Sequence, residues 1–426
     1  MSRFIIEGNR SLKGIVKPSG NKNEALPALM ACLLTDETVI LRRIPKIGDV
    51  LTVCQILREL GVVVEWEGDD CLHLCAAGLN SYKPNAELCA KVRASILLLG
   101  PLLSRLANIE LPLPGGDVIG ARRIDTHWEG AIALGASLTL GNSITGTADK
   151  LKGCDIFLDE PSVTATENLL LMSARTPGTT ILHNAACEPH VVGICNLLNQ
   201  MGADISGIGS NRLTIKGVEK LKGADHTIGA DFMEVGSFMC LAAATKSNIT
   251  IQDVKLEDYR FILKTLDRLG ISTTFENNSF KVHGEKDGEI KRDIGGRVAN
   301  IYSGPWPAYP TDLMSVSIVA ATQATGTIIF FEKMFEGRMF FTDKLMAMGA
   351  NIVLCDPHRI VVSGPSPLYA ANMSSPDVRA GMALLMACLI AKGTSEVNSI
   401  YQIERGYYQI DQKLEQLGAA IKRVES

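Results

Sequence analysis

The sequence predicts an α/β protein of two domains, and three observations carry that expectation. First, an apolar residue followed by glycine recurs six times, at Leu60-Gly61, Leu134-Gly135, Met201-Gly202, Leu269-Gly270, Met348-Gly349 and Leu417-Gly418, at spacings of 74, 67, 68, 79 and 69 residues. Each pair closes an amphipathic helical pattern such as NLLNQMG or KLEQLG and precedes a strand-like stretch. Second, the chain holds six further helical stretches that are apolar nearly all round: ALPALMACLL, ASILLLGPLL, ATENLLLMSA, VGSFMCLAAA, DLMSVSIVAA and RAGMALLMACLI. Helices without a polar face are buried ones. Third, each buried stretch leads through a turn into a strand, in ETVILRRI, NIELPLP, GTTILHNA, SNITIQDV, GTIIFFEK and GTSEVNSI. A capping glycine explains each position singly, but only internal repetition explains the near-equal spacing and the matching buried stretch. One unit therefore reads β-α-β-α-β-β, its last strands short, as in ADISGIG and RLTIKGV. Six such units of about 71 residues account for the chain, three to a domain.

Bulk composition agrees. At 426 residues the chain exceeds one ordinary core, and 46% hydrophobic against 21% charged residues describes a globular protein, not a disordered one. The net charge of −4 comes from both signs mixed along the whole length, which excludes a chain-wide basic field for nucleic acid or an anionic membrane. Any anion site has to be local. Eleven scattered cysteines, several in apolar runs (Cys32, Cys240, Cys388), fit reduced thiols better than a disulfide framework. Cys71 and Cys75 make a C-x3-C, but without a second cysteine pair or ordered histidines they read as two strand-end thiols, and no metal site is expected. The start, MSRFIIEGNRSLKG, lacks the apolar stretch of an export signal, and no apolar run reaches bilayer length, so a cytoplasmic location is expected.

The segment densest in chemistry is LPLPGGDVIGARRIDTH, residues 111–127. Pro114-Gly115-Gly116 interrupts any regular element, Asp117 stands at the tip, Gly120 adds a pivot, and Arg122 and Arg123 bring charged forks that suit phosphate or carboxylate. Two readings stand: a mobile loop that folds over an anionic ligand, or a solvated loop whose arginines pair with Asp125. The starts of the six buried stretches carry Lys22-Asn23, Arg93, Ser162 with Thr164 and Thr166, Asp231 with Glu234, Thr311-Asp312, and Asp377 with Arg379. Arg405, in ERGYYQI, follows the last repeat's strand where the Asp117 loop follows the second's. Each residue alone reads as a cap or a surface ion pair. At equivalent places in six repeats they read together as a substrate cleft, because helix N-termini bind anions.

Several segments also carry a resemblance. SGNKNEALPALMACLL (19–34), RASILLLGPLLSR (93–105), LPGGDVIGARRIDTH, PSVTATEN (161–168), YPTDLM (309–314), DVRAGMALLMA (377–387) and ERGYYQID (404–411) resemble, in order and spacing, the UDP-N-acetylglucosamine 1-carboxyvinyltransferase family of enolpyruvyl transferases. The likeness covers essentially the whole chain and extends more distantly to 5-enolpyruvylshikimate-3-phosphate synthase. It implies two inside-out α/β domains of three repeats each, with the active-site cleft between them. Residues 1–21 plus 231–426 would form one discontinuous domain, and 22–230 the other, carrying a mobile glycine-rich loop at about 113–123. It also implies the reaction: the enolpyruvyl group of phosphoenolpyruvate passes to the 3-hydroxyl of UDP-N-acetylglucosamine and phosphate is released. That is the first committed step of peptidoglycan precursor synthesis, and so of cell-wall biogenesis, cell shape and division. The implied partners are these two small molecules, with no nucleic acid, no membrane, no cofactor and no metal.

Carried over position by position, the resemblance makes Asp312 the base for the sugar hydroxyl and places Asp117 where most members have a proton-donating cysteine. Lys22, Asn23, Arg122, Arg379 and Arg405 fall at phosphoenolpyruvate, Lys22 and Arg405 among the catalytic set. The nucleotide sugar falls to Asn23, Arg93, Arg122, Arg123, Ile124, Asp125, Thr126, Ser162, Val163, Thr164, Asp312 and Met334, with Asp377 supporting the reacting centre. Asp117 in place of cysteine implies insensitivity to fosfomycin, which alkylates the thiol. An aspartic acid of ordinary pKa, about 3.9, has to be desolvated or set beside phosphate to serve as an acid near neutral pH. Thr164 replaces a glycine of the uridine-binding turn, Phe232 an arginine and Arg123 a proline. These departures leave room for a catalytically silent nucleotide-sugar-binding paralogue, or for another acceptor such as shikimate 3-phosphate.

Overall fold

Every one of the six apolar-glycine pairs lies at the end of a helix. The helices Gly48–Glu59, Asp125–Ala133, Pro189–Gln200, Arg260–Arg268, Thr342–Ala347 and Ile410–Gln416 each stop at the apolar member, and the glycine that follows has φ between +75° and +108° in the computed structural model. Glycine enters this left-handed region without the Cβ penalty other residues meet, so it ends the helix and aims the next strand.

The structure describes residues 2–115, 123–284 and 288–425. They fall into two units. Residues 2–19 with 230–284 and 288–425 form a discontinuous unit, and residues 20–115 with 123–229 form an inserted one. In the discontinuous unit the helices Phe232–Ala244, Thr311–Ala321 and Val378–Ile390 pack on one another and bury nearly all their residues. Lys22–Ala31, Leu99–Leu106 and Val163–Ser173 take the corresponding place in the inserted unit. Sheets pack outside these helices, three in each unit. Each unit is thus an α/β body turned inside out, with helices in the middle and sheets that alternate buried and open side chains, as along Thr179–His183.

One expected helix differs. The RASILLLGPLLSR stretch is a 3-10 turn over Arg93–Leu98 followed by an α-helix over Leu99–Leu106. Pro101 has no N–H to give to Leu97, and the Ser95 hydroxyl donates to the carbonyls of Cys89 and Val92, which tightens the chain before the helix proper.

The repeat closes in space, not always in sequence. The strand that opens the first repeat is Asp225–Thr227, parallel to Val39–Arg42, whereas Lys13–Val16 runs parallel to Asn248–Ile251 in the discontinuous unit. The N-terminal Arg3–Glu7 is likewise a middle strand, antiparallel to both Thr394–Asn398 and Ala420–Val424. Glu24 helps to hold the exchanged strand. Buried in the first turn of Lys22–Ala31, its carboxylate meets His226 Nε2 at 2.9 Å and accepts the Gly229 N–H at 3.0 Å.

The cap glycines are not equivalent. Gly61→Ala and Gly202→Ala both require positive φ, worth about 1–2 kcal/mol. A Cβ at 61 would stand 2.2 Å from the Gly78 carbonyl oxygen, whereas nothing lies within 4 Å of one at 202. Urea denaturation should show the larger loss for Gly61→Ala; equal losses would contradict this packing.

Candidate functional site

In the discontinuous unit, the starts of the central helices bring acids and arginines together. Asp312, in the first turn of Thr311–Ala321, accepts from Arg338 Nη2 at 2.5 Å on Oδ1 and from Arg379 Nε at 2.9 Å on Oδ2. Asp377 caps Val378–Ile390 through the amides of Arg379 (2.8 Å) and Ala380 (3.0 Å), and its Oδ1 lies 3.7 Å from Arg338 Nη1. Asp231 caps Phe232–Ala244 in the same way. Arg338 and Arg379 are only 6% and 5% exposed. Burial opposes the Arg379 charge, but Asp312, Tyr407 and Asp231 outweigh it and its pKa is raised; its guanidinium lies 5.4 Å from the centre of the Tyr407 ring. Asp231 is pushed up by burial, pulled back by Arg379 and pushed up again by Glu234.

Two donors in this cluster are unused. Arg338 Nε and Arg379 Nη1 are buried and meet no hydrogen-bond acceptor among the described residues. A buried charged donor left unpaired is costly, and an acceptor brought to it, such as an anion, relieves that cost. Nearby, Glu332 is fully buried and accepts from Ser303 Oγ, Thr311 Oγ1 and the amides of Met334 and Phe335. It therefore anchors the loop that carries Met334, 40% exposed, and Arg338. Arg405, following the short helix Tyr401–Glu404, donates from Nη1 to Gln402 Oε1 at 3.2 Å. Phe232 is buried with its ring tilted on Trp306, so its side chain belongs to the core.

In the inserted unit, Asn21 caps Lys22–Ala31 on the amides of Asn23 and Glu24, and Lys22 Nζ pairs with Asp49 Oδ2 at 2.6 Å. Pro27 has no N–H for the Asn23 carbonyl four residues back, which leaves that carbonyl without its helical donor. Arg93 Nη2 donates to the Arg123 carbonyl at 3.1 Å. Arg123 itself is exposed; it bonds Asp125 at 3.1 Å, lowering that carboxyl's pKa, and lies 3.6 Å from Asp159. Pairing with Asp125, one of the two readings of the arginine segment, thus describes Arg123. Thr126 Oγ1 donates to Asp159 Oδ1 at 2.6 Å. Ser162 caps Val163–Ser173 on the Ala165 amide, and Ile124 and Val163 are partly buried. Asp117 and Arg122 lie outside the described residues.

Thr164 belongs to a chain of hydrogen bonds whose direction can be worked out. Asn168 Oδ1 accepts the Gly100 N–H at 2.7 Å and Nδ2 donates to the Ile96 carbonyl at 2.9 Å, which fixes the amide's orientation. The second Nδ2 proton points at His127 Nδ1, 3.0 Å away. Nδ1 is therefore an acceptor, the ring proton sits on Nε2, and Nε2 donates to Thr164 Oγ1 at 3.0 Å. The Thr164 hydroxyl keeps its own proton, with no acceptor among the described residues. His127 stays neutral at pH 7, because burial, helped by Arg93, lowers its pKa to about 3.

Asp49, His127, Asp159, Asn168, Glu332, Arg338 and Tyr407 are absent from the set expected from sequence. Asn168 carried a signal, a polar residue four places after Thr164 at the edge of the apolar run Leu169–Met172. Asp49 and Asp159 carried none, since their partners are remote in the chain. All eleven thiols are free, and Cys75 Sγ donates to the Asp36 carbonyl at 3.3 Å.

Residues 6–414 match the family model of EPSP synthase (3-phosphoshikimate 1-carboxyvinyltransferase). This chain belongs to the enolpyruvyl transferases. It is therefore an enzyme, and the two-domain α/β fold expected from the repeats, turned inside out as the resemblance implied, is that family's fold. The UDP-N-acetylglucosamine 1-carboxyvinyltransferase of Borreliella burgdorferi is 51% identical over 427 residues, 100% of both chains. Its counterpart in Bradyrhizobium diazoefficiens is 49% identical over 422 residues, 99% of this chain and 98% of that one, and the one in Bacteroides thetaiotaomicron is 45% identical over 434 residues, again 100% of both. Among solved structures, the enolpyruvyl transferase NikO from Streptomyces tendae superposes with a TM-score of 0.88 at 23% identity, over 100% of this chain and 99% of that one. EPSP synthase from Acinetobacter baumannii gives 0.77 at 19%, over 100% of both. At those identities the likeness speaks for fold. No helix among the described residues is long and apolar enough to cross a membrane.

The lowered pKa of His127 sets a sign for the pH dependence of stability. Between its ordinary value of 6.5 and about 3, the unfolded chain takes up a proton that the folded chain refuses, so this residue's contribution falls as pH drops through that window. Urea denaturation over a pH series should show the wild type losing stability relative to His127→Gln as pH falls from 6.5 towards 3. A difference that stays flat would place a charged imidazole in the fold.

Proposed function

We propose that this enolpyruvyl transferase moves the enolpyruvyl group of phosphoenolpyruvate to the 3-hydroxyl of UDP-N-acetylglucosamine and releases phosphate, the first committed step of peptidoglycan precursor synthesis, in the cytoplasm. The observation that carries the reading is Asp312 held between two buried arginines, Arg338 and Arg379, each with a buried nitrogen that meets no acceptor at hydrogen-bond distance among the described residues. Full-length identities of 45–51% to proteins named for this reaction support the same acceptor.

Phosphoenolpyruvate brings a phosphate and a carboxylate. In this reading Lys22, Arg122, Arg379 and Arg405 bind them, Asn23 adds a polar contact, and Arg338 joins the set. Asp117 gives a proton to the methylene carbon, which makes the neighbouring carbon electrophilic. The sugar 3-hydroxyl oxygen then forms its bond to that carbon while Asp312 takes the hydroxyl proton. Arg338 and Arg379 hold the Asp312 carboxylate in place, and the hydroxyl proton moves to it as the carbon–oxygen bond forms. In the second half the new methyl carbon returns a proton to the Asp117 carboxylate, the double bond reforms, the carbon–oxygen bond to phosphate breaks, and the leaving phosphate carries off the proton that Asp312 took. Asp377 supports this centre by placing Arg379.

The nucleotide sugar is assigned to Arg93, Arg122 to Thr126, Ser162, Val163, Thr164 and Met334, with Asn23 and Asp312 shared between the substrates. Thr164, where the resemblance has glycine, contributes the hydroxyl proton that His127 leaves available.

Two outcomes follow. The purified chain with both substrates should release phosphate and form an enolpyruvyl product, and Asp117→Asn should bind substrates without turnover, since an amide gives no proton to carbon. Phosphate release only with shikimate 3-phosphate would reassign the acceptor, and binding of the nucleotide sugar without any release would make the chain a silent paralogue. Asn168→Asp should accept a proton from His127 Nδ1, turn Nε2 into an acceptor and draw in the Thr164 proton. KM for the nucleotide sugar should rise about two- to tenfold, the worth of one neutral hydrogen bond, with kcat near wild type. Thr164→Val should add nothing in that background; a further rise would refute the proton order.

A further inference from the structure

On the inserted unit, the strands Asp225–Thr227, Val39–Arg42, Cys71–Cys75 and Val63–Glu67 form one sheet in that order. Its outward face carries a cluster that no step of the reaction above uses. Leu72 and Leu74 are fully buried and look into the core, so the two-residue period of the strand turns Cys71 and His73 to the other face. Glu67 stands opposite Cys71 in the hairpin register, and Arg42 stands opposite it on the other side. Cys71 Sγ lies 3.7 Å from Glu67 Oε2 and 3.9 Å from His73 Nε2, and the last two atoms are 2.8 Å apart.

We propose that Glu67, Cys71 and His73 form a binding site for one divalent thiophilic cation of the zinc class, the buried Cys71 thiol lying beneath the exposed Glu67 and the half-buried His73. Geometry is the first argument. A tetrahedral ion with sulfur at about 2.3 Å and nitrogen and oxygen at about 2.0–2.2 Å sets the sulfur about 3.6 Å from each of the others, and those two about 3.4 Å apart. Both sulfur separations are already within about 0.3 Å of that, and only the glutamate–histidine contact has to open, by about 0.6 Å. The Glu67 side chain is 69% exposed and free to make that move.

Donor type is the second argument. One thiolate, one imidazole and one carboxylate suit zinc-like ions, whereas magnesium and calcium take oxygen ligands. Charge is the third. Thiolate and carboxylate together balance a divalent ion, and the nearest cation, Arg42, is already neutralised by two bonds of 2.7 Å to Asp225. Arg42 Nη1 also points at the sulfur from 3.9 Å, the outer contact that steadies a metal-bound thiolate. On binding, the metal–sulfur bond replaces the S–H bond, that proton passes to water, and the His73 ring carries its remaining proton on Nδ1. Because the donors sit on adjacent, register-locked strands, little reorganisation is needed. The spacing that matters is thus Cys71-x-His73 on one strand face plus a residue from the neighbouring strand, not Cys71 with Cys75.

Cobalt titration of the full chain tests this. One equivalent of Co2+ should raise a thiolate-to-cobalt charge-transfer band in the near ultraviolet, and Zn2+ should displace it. Cys71→Ser should abolish the band, and His73→Ala and Glu67→Gln should each weaken binding at least tenfold. Cys355→Ser, at an exposed thiol elsewhere, should change nothing. All three positions lie on the sheet's outward face, and circular dichroism checks that the variants fold. Absence of a band at submillimolar cobalt, a band that survives Cys71→Ser, or affinity untouched by both His73→Ala and Glu67→Gln overturns the proposal.

Discussion

Both units rest on one constraint: three central helices with no polar face have to be buried on every side, yet their first amides still need acceptors. The starts of Lys22–Ala31, Val163–Ser173, Phe232–Ala244 and Val378–Ile390 meet that need with Asn21, Ser162, Asp231 and Asp377. Along the buried lengths a polar side chain is tolerated only when fully bonded or neutral. Asn168 shows the first case, bonded to Gly100, Ile96 and His127. Glu167 shows the second, because burial, then Glu188 and Glu24, push its pKa well above the usual carboxyl value and so favour the uncharged form. Chemistry is therefore driven to the helix starts, where the candidate site residues gather.

This placement explains why structural and functional roles overlap in single residues. Asp377 is a helix cap and also a near neighbour of Arg338; Asp312 is a first-turn acid and also the acceptor that holds Arg338 and Arg379. The two guanidinium groups are fixed from several sides, by Asp312, by the Tyr407 ring and by the loop that Glu332 anchors. A preorganised pair of cations with unused donors pays little to receive an anion, and that is the physical basis of the functional reading. His127 acts by the same logic in the inserted unit, where burial keeps it neutral and Asn168 decides which nitrogen holds its proton.

Much of this was legible in the chain. Glycine at six helix ends, six all-apolar stretches and the strands after them announce α/β repeats with buried helices, because periodicity reports which faces are buried and positive φ selects glycine. The placement of Lys22, Asp312 and Arg379 at the starts of buried helices was legible too, since the apolar runs they precede mark those helices. Partner choice was not. That Arg3–Glu7 joins the last sheet, and that Lys13–Val16 and Asp225–Thr227 exchange repeats, follows from backbone pairing across hundreds of residues, which local pattern does not encode.

The same limit applies at the level of single side chains. By itself the sequence determined the repeat, the buried helices and the residue types at their starts, all consequences of local periodicity and backbone preference. Only the tertiary structure decided that Lys22 meets Asp49, that Arg338 joins Arg379 on Asp312, that a histidine proton is aimed at Thr164, and that Glu67 comes within reach of Cys71 and His73. Hydrogen bonds and ion pairs act over a few ångströms in space, and strand register and helix packing, not chain spacing, bring those atoms together.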